Sequence, residues 1–260
     1  MALTHSLLTA VYTPLRLGNN LLRRLGVKST DRLRVLIYHD IAPQEQERFA
    51  AQLRWMARSW TFVSPLRFAA MVCGEEPIKG ANLLLSFDDG FASNRRVAEQ
   101  VLNPIGIQAL FFVVSAFMDI GDGDDCRAFI ARHIHPGLTP ETVPAHWRNM
   151  TWADLAYLLQ SGHTVGAHTR THARLAEMHQ ATELEAEIIE SADTLEHNLG
   201  VKVDHFAYTF GNLASFSSAA LAVARRRFQF VYTGMRGDNA HGVPCWALRR
   251  DAVAPANAFE

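Results

Sequence analysis

The residues of this chain with the clearest chemical potential are two adjacent aspartates and a spaced pair of histidines. Asp88 and Asp89 follow an apolar run, Leu83–Phe87, of the kind that makes a buried strand. His168 and His172 stand at positions i and i+4. Carboxylate oxygens and imidazole nitrogens are ligands of zinc and related divalent ions. Together the two motifs predict a metal-activated hydrolase.

The spacing of these residues suggests how they could share one ion. On a helical turn the imidazoles of His168 and His172 would face the same way. Asp88 or Asp89 would supply a third ligand, and three ligands with an open position describe a catalytic site. Adjacent side chains of an extended chain point to opposite sides, so the other carboxylate can act as general base on a water. Each motif alone has a simpler explanation. In a chain with twelve histidines, two can stand four positions apart by chance. Two adjacent aspartates are commonly part of a turn or a helix cap.

The elements that must position these residues alternate between strand and helix after residue 33, which predicts a mainly parallel sheet. No glycine-rich phosphate loop follows the first strand, so a barrel is favoured over a nucleotide-binding open sheet. In a barrel the chemistry collects at the C-terminal ends of strands, where His39, Asp88 and Asp89 lie. The predicted strands are 34–39, 83–87, 108–115, 164–167, 205–208 and 229–232, and the predicted helices are 46–58, 93–102, 152–160, 182–199 and 217–227.

Length and composition are those of an ordinary globular protein. The chain has 260 residues, of which 48% are hydrophobic and 20% charged. Its net charge of −1 argues against a nucleic-acid partner, which would require a basic excess. Cys73, Cys126 and Cys245 are far apart and odd in number, so neither a disulfide framework nor a cysteine zinc site is indicated.

Residues 119–150 interrupt the strand–helix alternation. This stretch holds His133, His135, His146 and Trp147 together with three prolines. A long connection of this kind often forms a lid or a substrate-shaping loop. The alternative is a surface insertion without function.

Residues 1–30 form a separate N-terminal segment, and residues 31–260 form the main domain. The segment has no acidic residue, carries Arg16, Arg23, Arg24 and Lys28, and repeats leucine at roughly helical spacing. It is too short and polar to span a bilayer and lacks the features of a signal peptide. We expect an amphipathic helix that either contacts an anionic membrane surface through residues 1–26 or packs on its own domain or a partner.

The two chemical motifs resemble those of the metal-dependent polysaccharide deacetylases. The family's first motif is TFDDG, and residues 86–90 read SFDDG. Its second motif, H-S/T-x-x-H, corresponds to residues 168–172, HTRTH, and residues 152–175 resemble the family's helix, strand and metal loop. The resemblance covers about residues 33–253. It implies an α/β fold, a distorted (β/α) barrel of about seven strands, to which the N-terminal amphipathic helix is added.

Carried over position by position, the resemblance implies the roles of the motif residues. Asp89, His168 and His172 would bind one divalent metal ion, and Asp88 would be the general base. The metal is most often zinc, and cobalt, nickel or iron also suit imidazole and carboxylate ligands. The backbone N–H of Phe210 would help to hold the oxyanion.

The third family motif, R-x-P-Y, is altered, because residues 207–211 read AYTFG and the arginine is missing. A branch of the family with FAYPFG shows the same loss, and there an arginine from a later L-P-R segment is thought to replace it. Residues 248–250, LRR, resemble that segment. Arg250 is therefore the candidate for orienting Asp88, and a surface arginine is the alternative.

The family's C-terminal L-x-x-H motif, which supplies the general acid, is also missing. In the poly-N-acetylglucosamine deacetylase branch the acid comes instead from a Y-H-D-I sequence in the first strand, and residues 38–41 read YHDI. His39 is therefore the candidate general acid, with Asp40 steering or charge-stabilising its ring. A structural histidine at the strand end is the alternative.

The function that the resemblance implies is hydrolytic removal of an N-acetyl group from an amino sugar in a surface polysaccharide, a glycolipid or a precursor, with release of acetate. The two missing family residues keep a second hypothesis open, a catalytically silent member that acts as a carbohydrate-binding or assembly factor. Since no export signal is recognised, we expect a location in the cytoplasm or peripherally on the inner membrane, within bacterial cell-surface biosynthesis.

Overall fold

The computed structural model of the chain describes residues 30–121, 123–240 and 242–255. The amphipathic helix that we predict within residues 1–30 falls, except for Thr30, outside the described residues. Within the ranges that are described, no helix has the length and apolarity needed to cross a membrane.

Strands and helices alternate through most of the described chain. The strands are β1 (Arg32–Tyr38), β2 (Thr61–Phe62), β3 (Ala81–Phe87), β4 (Leu110–Val113), β5 (Thr164–Ala167), β6 (His205–Ala207), β7 (Phe230–Tyr232) and β8 (Asp251–Ala252). The helices are α1 (Gln46–Met56), α2 (Pro65–Cys73), α3 (Ala92–Val97), α4 (Asp124–Phe129), α5 (Trp152–Gln160), α6 (Ala181–Leu199) and α7 (Ser218–Arg227). Wider π-helical turns, Ala98–Leu102 and Ile130–Ile134, continue α3 and α4.

All eight strands belong to one parallel sheet. Seven follow the order β7-β6-β5-β4-β3-β1-β8, and β2 pairs with β3 off this path. The helices surround the sheet, so the predicted α/β fold, a distorted barrel of about seven strands, is confirmed. Our prediction omitted β2 and β8, whose two residues each are too few to show a periodic pattern, and the helices α2 and α4.

Alternate residues of each strand enter two different apolar layers. On β4, for example, Phe111 joins the larger cluster under the helices, whereas Phe112 joins a smaller cluster with Val35, Leu84 and Tyr232 from other strands. Successive strand side chains point to opposite faces of a sheet. The smaller cluster therefore fills the inner face of the sheet, below the strand ends that carry the chemical motifs.

The segment Leu248–Ala252 joins the two ends of the sheet. Leu248 forms a parallel bridge with Tyr232 of β7, and the two residues of β8 pair with β1. Arg250 lies between these two pairings, and only 1% of it is exposed. The closing segment therefore carries a cation into the interior.

Candidate active site

The C-terminal ends of the strands surround one cavity of about 560 Å³. All seven residues that we singled out from the sequence line this cavity. They come from the ends of four strands and from the closing segment, as expected for a barrel in which strand ends carry the chemistry. The residues are His39, Asp88, Asp89, His168, His172, Phe210 and Arg250.

The acidic pair leaves β3 through a sharp turn. The N–H of Asp88 donates to the carbonyl of Tyr38 (2.9 Å), which continues the ladder with β1. Asp89 has a left-handed backbone (φ 74°), and Gly90 follows with φ 96°. The two carboxylates therefore do not diverge as in an extended chain, which corrects our expectation: both face the same cavity, 3.8 Å and 3.5 Å from His168 Nε2.

The histidine loop is not the helical turn that we expected from the i and i+4 spacing. Thr169 and His172 have positive φ angles of 63° and 61°, which interrupt any helix. Both imidazoles nevertheless converge on one atom, because Nε2 of His168 and Nε2 of His172 lie 3.5 Å and 3.3 Å from Asp89 Oδ1. The loop conformation, not helical periodicity, brings the pair together.

Left-handed backbone among non-glycine residues is confined to this region of the described chain. The four residues are Asp89, Thr169, His172 and Phe210, with φ between 59° and 74°. Such conformations cost of order 1–3 kcal/mol each and persist where the surrounding structure imposes them. The backbone around the cavity is therefore strained in order to direct its side chains.

The three converging residues fit a divalent metal ion. Their ligand atoms lie within 4.8 Å of one another, and all three residues are buried. Nδ1 of His168 faces the carbonyl of Ala207 (2.8 Å), and Nδ1 of His172 faces that of His133 (3.0 Å). A carbonyl accepts, so each Nδ1 carries the proton and each Nε2 keeps a free lone pair for a metal. Asp89 Oδ1 is buried without a hydrogen-bond partner, as suits a metal ligand.

The ionisation states of Asp89 and His168 agree with this arrangement, whereas the raised pKa of His172 means that its ring must give up a proton to bind a metal. Burial opposes the ionisation of Asp89, but the neighbouring His172 and other histidines outweigh it and hold the pKa of the carboxyl below its usual range. Burial lowers the pKa of His168 to about 4, so its ring is neutral near neutral pH. Burial also opposes the charge on His172, yet the Asp89 carboxylate raises its pKa.

Arg250 contacts the second carboxylate directly. Its Nη1 donates to Asp88 Oδ1 at 2.7 Å, and both side chains are almost completely buried. Nε of the same guanidinium donates to the carbonyl of Thr233 (3.1 Å), and the group lies 4.9 Å from the ring centre of Phe112. The structure therefore places this arginine against the carboxylate predicted to be the base, and not at the surface.

Phe210 projects its ring and its backbone N–H at the edge of the cavity. The ring packs edge-on against His172 (4.7 Å between ring centres) and under the guanidinium of Arg174 (4.0 Å). Within the described part of the chain, its N–H donates to no acceptor. The next residue, Gly211, packs against Gly234 so closely that a Cβ on Gly211 would lie 2.7 Å from the Cα of Gly234. The turn is thus fixed without any side chain at its tip.

His39 lies at the mouth of the cavity with its side chain exposed. The hydrogen bonds that the structure shows for the Asp40 carboxylate lead elsewhere, to His146 Nε2 (2.9 Å) and Trp147 Nε1 (3.0 Å). Among the described residues, Asp40 therefore does not steer the His39 ring through a hydrogen bond, and stabilisation of that ring by the charge of Asp40 stays a prediction. Adjacent residues at a strand end point in different directions, so one faces the cavity and the other the insertion.

Two more parts of the chain contribute to the site: Glu187, which sequence analysis missed, and the segment 119–150, for which it left a substrate-shaping loop and a surface insertion open. Glu187 of α6 is buried on the apolar face that the helix forms with Leu184 and Ile188, and it accepts the N–H groups of Arg170 (3.0 Å) and Thr171 (2.9 Å). In the segment 119–150, the carbonyl of His133 accepts from Nδ1 of His172 in the histidine loop, and His135 and Trp147 line the cavity. An acidic residue within an otherwise apolar helix stripe was the available signal for Glu187. The interrupted strand–helix alternation marked the segment 119–150, and its place in the cavity lining favours the substrate-shaping loop over the surface insertion.

Comparison with known proteins shows the family and the fold of the chain. The family model described as polysaccharide deacetylase matches residues 76–227, more than half of the chain. A search of curated proteins found no match. Among solved structures, IcaB from Ammonifex degensii is 23% identical with a TM-score of 0.68, over 86% of this chain and 93% of that one.

Two further solved structures have the same fold. The Streptococcus pyogenes deacetylase PplD is 20% identical with a TM-score of 0.68, over 88% of this chain and 95% of that one. The deacetylase domain of BpsB from Bordetella bronchiseptica is 20% identical with a TM-score of 0.69, over 86% and 97%. The fold, the cavity and the family match lead to one conclusion: the chain belongs to the polysaccharide deacetylase family, whose members hydrolyse the N-acetyl amide bonds of sugars.

Proposed function

We propose that this protein is a metal-dependent hydrolase that removes the N-acetyl group from an amino sugar of a surface polysaccharide, a glycolipid or a precursor, and releases acetate. The observation that carries the proposal is the buried convergence of Asp89, His168 and His172, whose ligand atoms lie within 4.8 Å. These residues would hold one divalent ion, with zinc as the first candidate and cobalt, nickel or iron as alternatives. When bound, such an ion polarises the acetyl carbonyl and makes water a stronger acid.

The remaining groups act on protons and charge. Asp88, held by Arg250 at 2.7 Å, takes a proton from the attacking water. The N–H of Phe210 donates to the carbonyl oxygen as negative charge develops on it. His39 gives a proton to the leaving sugar nitrogen as the C–N bond breaks. Acetate and a free amine result.

Acetate release from N-acetylated chito-oligosaccharides, with zinc-loaded and chelator-treated protein, tests the proposal. Asp88→Asn should lower the rate by about 10²- to 10⁴-fold, the usual contribution of a general base. Asp204→Asn is a matched control, because Asp204 pairs with Lys202 (2.7 Å) and does not line the cavity. Undiminished activity in Asp88→Asn would remove this residue as the base. Zinc binding without acetate release would instead favour the sugar-binding or assembly hypothesis.

Membrane contact and cellular location remain predictions that rest on residues 1–26. Liposome flotation of the full chain and of a chain that starts after residue 26 measures the first. Flotation with anionic lipid that requires residues 1–26 is the expected outcome, and equal flotation of both forms would contradict it.

A further inference from the structure

One wall of the catalytic cavity is aromatic and comes from the segment 119–150. The ring of His135 stacks on that of Trp147 (4.7 Å between centres, 29° between planes) and lies roughly parallel to Phe91 (6.4 Å, 24°). Trp147 also packs against Phe91 at 5.3 Å. His135 and Trp147 both line the cavity, together with Leu138 from the same segment. The site therefore has a ring surface in the same cavity as its ionisable groups.

This wall is held in place from behind. Nε1 of Trp147 donates to Asp40 Oδ2 at 3.0 Å, and His146 Nε2 lies 2.9 Å from the same oxygen. The backbone is fixed as well, because the N–H of Ala92 donates to the carbonyl of Arg148 (2.7 Å) and the N–H of Met150 donates to the carbonyl of Gly90 (2.8 Å). A ring fixed before a ligand arrives loses little conformational freedom on binding. Its position relative to the acidic pair is thus set by the fold.

The wall lies on the side from which the leaving nitrogen must be protonated. Asp40, which holds Trp147, directly follows His39, the proposed proton donor, at the end of β1. The sugar carries the leaving nitrogen, so the sugar must lie on the His39 side of the scissile bond. The acetyl group, by contrast, must lie over Asp89, His168 and His172.

Sugars suit such a wall chemically. One face of a pyranose ring presents C–H groups, which pack on the face of an aromatic ring, and its edge presents hydroxyl groups. Burial lowers the pKa of His135, so its ring is mostly neutral and offers one donor and one acceptor. The cavity volume of about 560 Å³ is much larger than an acetyl group requires and falls in the range of small-molecule sites.

We infer that His135 and Trp147 form a subsite that binds the pyranose ring bearing the leaving nitrogen, by stacking against its C–H face. The inference rests on the proposed function and deepens it. The subsite selects the sugar part of the substrate, and Asp89, His168 and His172, the metal triad, act on the acetyl part. The Asp40 carboxylate is its positioning group.

The test compares two substrates in the zinc-loaded full chain. N-acetylchitotriose has pyranose rings, whereas 4-nitrophenyl acetate has only the acetyl group and a small leaving group. Trp147→Leu should lower kcat/KM for the sugar about tenfold more than for the ester, mainly through KM, which corresponds to a loss of about 1.4 kcal/mol of stacking. Trp147→Phe should restore part of this selectivity.

Matched controls separate this role from general damage. Trp246→Leu removes a half-exposed tryptophan that contacts Arg225 outside the cavity and should leave the selectivity unchanged. Asp40→Ala should shift selectivity in the same direction as Trp147→Leu. Asp119→Ala removes an equivalent carboxylate, bonded to Trp152 Nε1 at 2.7 Å, and should not. Equal loss on both substrates in Trp147→Leu, or an unchanged KM for the sugar, overturns the inference.

A direct measurement of sugar binding distinguishes a failure of the subsite from a failure of the proposed function. N-acetylchitotriose should quench tryptophan fluorescence in the native chain and in Trp246→Leu, but much less in Trp147→Leu. If the native chain binds the sugar in this way yet releases no acetate, the proposed function fails and the subsite stands. If acetate is released and Trp147→Leu binds the sugar normally, the subsite fails alone.

Discussion

The contacts of Glu187 allow a direct test of what stabilises the conformation of the histidine loop, residues 168–172. Its Oε2 accepts the N–H groups of Arg170 (3.0 Å) and Thr171 (2.9 Å), and its Oε1 accepts the Thr171 hydroxyl (2.7 Å). These bonds stabilise a loop whose residues Thr169 and His172 have left-handed backbone. Glu187→Gln keeps the shape of the side chain but replaces one accepting oxygen with an NH₂ group, which cannot accept.

The size of the effect follows from these bonds. Either the Thr171 hydroxyl or the two backbone N–H groups lose their acceptor, and the remaining bonds lose their charge. Hydrogen bonds to charged groups contribute about 1.5–3 kcal/mol, so we expect Glu187→Gln to lower the free energy of unfolding by about 2–4 kcal/mol. Groups that orient metal ligands typically change metal affinity by about 10–100-fold. We therefore expect zinc affinity to fall at least about tenfold.

Chelator competition measures the zinc affinity, and urea unfolding measures the stability. Glu196→Gln is the matched control on the same helix, because Glu196 Oε1 accepts from the Val203 N–H (2.7 Å) and lies 2.9 Å from Arg227 Nη2, outside the cavity. This control should lower stability without changing zinc affinity. Wild-type zinc affinity in Glu187→Gln would show that the loop keeps its shape without these bonds, and the reasoning would be refuted.

Three further predictions follow from the same geometry. Arg250→Met should lower the rate of acetate release at least about 100-fold and the free energy of unfolding by about 3–5 kcal/mol, because it leaves a buried carboxylate unpaired. Arg249→Met, at the exposed neighbouring position, should change neither acetate release nor urea unfolding. His205 should make stability fall with acidity, because burial lowers its pKa from 6.5 to about 4. Its contribution to stability is complete above pH 6.5, and about 3 kcal/mol is lost as the pH falls to about 4, since only the unfolded chain takes up the proton in this range. Urea unfolding at several pH values should show that the free energy of unfolding depends less on acidity in His205→Gln than in the native chain. The same dependence in both would contradict this prediction. Zinc at about 100 times its Kd should stabilise the native chain by about 2.7 kcal/mol, as a rise in Tm; His172→Ala should abolish that rise, whereas His179→Ala, at an exposed position, should preserve it.

Much of the fold could be predicted from local patterns. Helix α5 and strand β5 have the predicted bounds, because the apolar spacing of α5 and its Thr151 capping box are local signals. Helix α6 starts one residue earlier than predicted and ends, as predicted, before Gly200, which takes a left-handed backbone (φ 65°). The same periodicity did not reveal β2 or β8, which exist only because longer strands offer them partners.

The part of the site that sequence analysis misjudged depends on contacts between distant segments. The spacing of His168 and His172 indicated a helical turn, but backbone N–H groups that donate to Glu187 stabilise a loop with left-handed residues instead. Asp40 was expected to face His39, yet its carboxylate bonds to a tryptophan 107 positions later in the chain. Neither partner can be identified without the fold that brings it close.

The sequence by itself determined the residue types of the metal triad, the ends of the strands that carry them, and the family. These depend on short motifs and on apolar periodicity, which are local properties of the chain. Only the tertiary structure decided that Arg250 reaches Asp88, 162 positions away, and that the segment 119–150 forms a wall of the cavity. The physical reason is the closing of the sheet: the pairing of Leu248–Ala252 with β7 and β1 buries a cation beside a carboxylate that compensates for its lost hydration.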